Sequence, residues 1–142
     1  MDRHGWIDEQ LAKVPLFEGL SKKELREISS LATQLDEREG TVLTKQGALG
    51  NEFIIIIDGE AEVQIDGKAI KRLGPGDFFG EIALLTHRPR TATVVAKTPM
   101  KIEVIDRREF ATMLADAPEV GAKLLETVAS RLAETQGLSD AS

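Results

Sequence analysis

Glu81 and Arg90 stand nine positions apart in a segment otherwise made of apolar and turn-forming residues, Phe79-Gly80-Glu81-Ile82-Ala83-Leu84-Leu85 and Pro89-Arg90-Thr91-Ala92-Thr93. A glycine, a carboxylate and four helix-tolerant apolar residues predict one helical turn set inside a strand-like region. The first N–H groups of such a turn have no internal partner and carry the positive end of the peptide dipoles, which suits an anion such as a phosphate. Gly80 lets a ligand approach the backbone closely. Arg90, stiffened by Pro89 before it, can fork onto two oxygens of one phosphate. Taken singly, Glu81 and Arg90 read equally well as a surface ion pair of small value. Their joint placement with Gly80 and Pro89 points to a ligand site.

Other chemistries lack their residues. The chain has no cysteine, which removes disulfides, thiolate metal sites and thiol catalysis together. Its two histidines, His4 and His87, form no His-x-His pair and sit in a tail and a loop, so a histidine-rich metal centre is not expected. No serine, lysine or histidine arrangement suits nucleophilic catalysis, and the expectation is no catalytic residue and no metal. A net charge of −6 argues against a broad nucleic-acid surface. No apolar run approaches the roughly 20 residues of a membrane span, and no signal-peptide pattern opens the chain, so a cytoplasmic protein without membrane contact is expected.

The elements that must hold this segment can be read from period and punctuation. A length of 142 residues fits a single domain, 1–142. Ile7, Leu11 and Val14 recur at helical spacing until Pro15 disfavours helix at Val14. Ser21 with Glu24 forms a capping box before Leu25, Ile28, Leu31 and Ala32, predicting a second helix over about 22–33. N-terminal helices thus occupy about 7–33. From Gln34 the period turns to alternation, with turns at Glu39-Gly40, Gln46-Gly47, Asp58-Gly59, Asp66-Gly67 and Gly74-Pro75-Gly76-Asp77. Ala61, Val63 and Ile65 face one way on a half-buried strand, and Asp66-Gly67 predicts a tight hairpin into Lys68 to Leu73. Seven or eight strands over about 34–105 predict a mainly β fold with flanking α: a β-sandwich or jelly-roll barrel. After Asp106, Phe110, Met113 and Leu114 share one stripe and Pro118 opens a further helix bearing Val120, Leu124, Val128 and Leu132. Two C-terminal helices over about 107–135 follow, with Gly137 marking a frayed end.

The run Phe-Gly-Glu-Ile-Ala-Leu, a short loop, then Pro-Arg-Thr-Ala-Thr-Val resembles the phosphate-binding cassette of the cyclic-nucleotide-binding domain family, here residues 79–93. Val14-Pro15-Leu16-Phe17, Asp58-Gly59-Glu60-Ala61-Glu62-Val63 and Leu73-Gly74-Pro75-Gly76-Asp77 extend the likeness over about residues 10–135. The resemblance implies that Arg90 pairs with a cyclic phosphate, that the amides of Ile82, Ala83 and Thr91 bond it, and that Glu81 accepts from the ribose 2′-hydroxyl. It puts Val63 and Leu73 beside the base, and Leu124, Val128, Arg131 or Leu132 over it as a lid. Phe78 and Phe79 read as core or rim packing, and His87 and Arg88 as solvated loop residues.

Where family members often brace the cassette arginine with an acidic residue, this chain has Asn51, with Glu52 beside it. The resemblance implies a sensor rather than an enzyme, with cAMP as preferred ligand, cGMP left open by Thr91, and no cofactor. The output would pass to an effector protein or domain, or through self-association. Family transcription factors place a helix-turn-helix after the last helix; this chain ends at Ser142, so direct DNA binding is not expected. Two other readings use the same fold: a ligand-independent interaction module and a cupin-like enzyme.

Overall fold

A computed structural model describes residues 8–141. Asp8 opens the described chain as N-cap of α1 (Glu9–Ala12), and Pro15–Phe17 forms a 3₁₀ turn. Val14 before the proline is extended, as the steric rule requires. The Ser21–Glu24 capping box closes in both directions at the start of α2 (Lys22–Leu31). This helix ends two residues earlier than expected, because Ala32 turns extended and Thr33 already pairs in β1 (Thr33–Glu37). Ile7, expected at the first helix, lies outside the described residues.

The β region holds eight strands among the described residues: β1, β2 (Val42–Thr44), β3 (Glu52–Asp58), β4 (Ala61–Ile65), β5 (Lys68–Leu73), β6 (Phe78–Phe79), β7 (Thr93–Ala96) and β8 (Met100–Asp106). They form two four-stranded sheets, ordered β1-β8-β3-β6 and β2-β7-β4-β5, with every pairing antiparallel. Asp66 and Gly67 both take positive φ between β4 and β5, the backbone a two-residue hairpin needs. A short helix, α3 (Glu81–Thr86), interrupts the sheets after β6.

Strand β3 explains why Phe53 to Ile57 is apolar without alternation. Ile54 and Ile56 face the barrel interior with Val63, Phe79, Val94 and Ile102, while Phe53 and Ile55 face a helical layer with Phe17, Ile28, Phe110 and Leu124. A sheet covered on both sides needs apolar residues at both parities. The helical layer is completed by α4 (Arg107–Asp116), capped by Asp106 and Glu109, and α5 (Pro118–Ala141). That last helix runs through Gly137 instead of fraying before it, since one glycine costs a helix only about 1 kcal/mol. No helix of the described residues is long and apolar enough to cross a membrane.

Candidate functional site

The barrel opens into a cleft of about 700 Å³, its open mouth included. All eight residues singled out from the sequence line it: Gly80, Glu81, Ile82, Ala83, Arg90, Thr91, Val63 and Leu73. The floor is apolar. Val63 and Ile65 come from one face of β4, and a bulge at β4–β5 lets neighbouring Ile70 and Lys71 both reach the cleft. Thr44, Phe79, Ala92 and Val94 also line it and were not singled out for this place; alternation on β4 and β7 carries part of that signal, whereas the bulge has none in sequence.

Arg90 is buried, although a guanidinium is usually solvated. Its Nη1 donates to the Gly80 carbonyl at 3.1 Å and its Nη2 to the Glu52 carbonyl at 2.8 Å. Two main-chain oxygens thus hold it, not Asn51, whose Oδ1 is directed to Arg107 instead. Glu52 contributes its carbonyl while its side chain stays exposed. Burial lowers the Arg90 pKa from its ordinary value, opposed by the charges of Glu52 and Glu81. Two glycines make this course possible. A Cβ at Gly50 would lie 2.1 Å from Arg90 Nε, and one at Gly80 would meet Arg90 Nη1 and the Glu52 carbonyl at 2.6 Å. Gly80 also takes φ 98, which side-chain-bearing residues rarely adopt.

Glu81 is fully buried as the first residue of α3. Its Oε1 accepts from Arg131 Nη1 on α5 at 2.7 Å, and its Oε2 is buried without a hydrogen-bond donor among the described residues. Burial pushes its carboxyl above the ordinary carboxylate range, with Arg131 and then Lys71 pulling the other way. Arg131 also donates to the Phe78 carbonyl and lies over the Phe78 ring, 5.1 Å from its centroid. Of the three lid candidates whose side chains are described, Arg131 is the one that lines the cleft. Leu124 packs in the helical core, Val128 is buried, and the Leu132 side chain lies outside the described residues. Neither His87 nor Arg88 lines the cleft, and no cluster of three metal-ligating side chains occurs among the described residues.

A family model described as cyclic nucleotide-binding domain matches residues 37–117, more than half of the chain. The chain is 38% identical over 108 residues to the cAMP-dependent protein kinase regulatory subunit of Schizosaccharomyces pombe, spanning 75% of this chain and about a quarter, 26%, of that protein. It is similar to cAMP-bound PfPKA-R with a TM-score of 0.85 at 29% identity, covering 92% of this chain and 45% of that one. A PKAR CBD2 bound to Sp-2Cl-cAMPS gives a TM-score of 0.79 at 29% identity, covering 94% and 91%.

Proposed function

The chain belongs to the cyclic nucleotide-binding domain family, and from that premise we propose that it is a cAMP-sensing regulatory module rather than an enzyme. One observation carries the reading: Glu81, whose buried Oε2 has no donor among the described residues, and Arg90, held by carbonyls, line the same cleft. Ordinary core packing has no use for a buried carboxylate oxygen left unsatisfied. A 3′,5′-cyclic phosphate leaves the ribose 2′-hydroxyl as its free hydroxyl, and an ionised carboxylate only accepts. The hydroxyl therefore donates to Oε2 while Arg131 keeps Oε1.

Arg90 spends one N–H of each terminal nitrogen on carbonyls and keeps the rest of its fork for the phosphate. The apolar floor of Val63, Ile65, Ile70 and Leu73 takes the base. Occupancy is transmitted through two links that already exist: Arg131 ties Glu81 to α5, and Leu84 of α3 packs in the core shared with α4 and α5. A ligand biases such an arrangement only by binding its states with different affinity. Likeness to regulatory subunits of a protein kinase supports an effector protein as recipient.

Calorimetric titration with cAMP and cGMP tests the reading and the base preference together. Saturable binding, tighter for cAMP and lost in Arg90→Ala, is expected. Folded protein that binds neither nucleotide at millimolar concentration refutes it.

A further inference from the structure

His87 lies outside the cleft, yet its ring meets a residue of α4. We infer that His87 and Arg107 are positioning residues for nucleotide binding, forming a clamp that closes only while the imidazole is unprotonated at Nδ1; the inference rests on the nucleotide-binding reading above. His87 ends α3 in the left-handed region, with φ 57 and ψ 28. Its Nδ1 lies 3.1 Å from Arg107 Nη1. A guanidinium offers donors only and does not deprotonate in proteins. The contact is therefore a hydrogen bond only when Nδ1 accepts and the ring proton sits on Nε2.

Arg107 joins three elements. Its Nη2 donates to the Gly50 carbonyl at 2.9 Å, its Nη1 reaches the Leu84 carbonyl at 3.5 Å, and its Nε reaches Asn51 Oδ1 at 3.5 Å. The side chain thus binds the end of α3 and the turn before β3 to the start of α4. Those same parts hold Arg90: Gly50 lies against its guanidinium, and Glu52 and Gly80 accept from it. A proton on Nδ1 sets a donor and a positive charge against the Arg107 guanidinium. The pair then repels, α3 is released from the Gly50 turn, and Arg90 is less well placed for a phosphate. Other charged groups on these elements are Arg88 and Arg90 in the loop after His87, Glu81 at the far end of α3, Asp106, Arg108 and Glu109 at the start of α4 with Asp116 at its end, and Glu52 and Asp58 on β3.

The test is cAMP affinity by calorimetry between about pH 8 and about pH 5 on the native chain and on His87→Asn. Asparagine tolerates the left-handed backbone and offers an acceptor oxygen at every pH. Burial raises the Glu81 carboxyl, which also takes up a proton as pH falls, but both proteins keep it, so the difference between the two profiles isolates His87. The native chain is expected to bind like His87→Asn at the alkaline end and roughly tenfold more weakly at the acid end, the scale of one hydrogen bond to a charged group. Parallel profiles overturn the clamp. A ligand-free measurement decides it separately: ¹⁵N NMR, with His87→Asn separating the two histidines, shows the proton on Nε2 at the alkaline end, and an Nδ1–H tautomer there overturns it. If neither protein binds cAMP at any pH, the nucleotide reading fails while the tautomer still decides the clamp.

Discussion

Glu81 carries two opposed demands. In the proposed complex its carboxylate accepts from the ribose, yet burial raises its pKa, so the folded ligand-free chain holds the proton more tightly than the unfolded chain. The sign follows from linkage. The stability contributed by that proton is complete below the ordinary carboxylate range and is lost as pH rises through the raised value. Glu81→Gln keeps the shape without the charge. Its thermal midpoint at neutral pH is expected at or above that of the native chain, with a smaller fall between mildly acidic and neutral pH. Its cAMP affinity should fall by roughly tenfold or more, the worth of a hydrogen bond to a charged acceptor. A lower midpoint for the variant at neutral pH would show that the Arg131 ion pair outweighs the burial of the charge. The chemistry of Glu81 and Arg90 was legible as types at a spacing. The brace on Arg90 was not, because its acceptors are main-chain oxygens rather than a side chain at position 51.

At the scale of elements, α3 and the turn before β3 form one cradle around Arg90, and two glycines in it have different duties. A methyl at Gly50 meets the movable end of Arg90, whereas one at Gly80 also meets the fixed Glu52 carbonyl and a positive φ. Gly50→Ala is therefore expected to unfold within about 1 kcal/mol of the native chain. It should nevertheless lose at least roughly tenfold in cAMP affinity, since Arg90 can no longer lie across position 50. Denaturant melts with calorimetry check this, and unchanged affinity would show that Arg90 finds the phosphate from another course. Caps, hairpin and strand alternation were readable because each depends on residues a few positions apart. The end of α2 and the persistence of α5 past Gly137 were not, because pairing with β8 and continued helical bonding override local propensity there.

Across the whole molecule, two apolar clusters meet at the sheet containing β3; the cleft is lined from the barrel cluster, and α3 reaches the helical cluster through Leu84. Ile82 and Ala83 line the cleft while Leu84 packs with the C-terminal helices, so the binding segment cannot shift without moving their contacts. Hydrogen exchange with saturating cAMP is expected to slow along α5 around Arg131 as well as in α3. In Arg131→Ala the slowing in α3 should remain and that in α5 should be lost. Protection of α5 that is the same in both proteins would mean that Arg131 does not carry the signal.

The fold class, the alternation of the strands and eight of the residues around the cleft follow from the amino-acid sequence, because they rest on periods, caps and a motif whose parts lie close along the chain. Tertiary packing alone brings Arg131, fifty residues away, onto Glu81 at the cleft, and gives Asn51 to Arg107 rather than Arg90. Such contacts depend on how sheets register and where a helix runs. The carbonyls of Glu52 and Gly80 that hold Arg90 could not be read at all, since every residue carries the same oxygen and only the fold selects which of them face a cation.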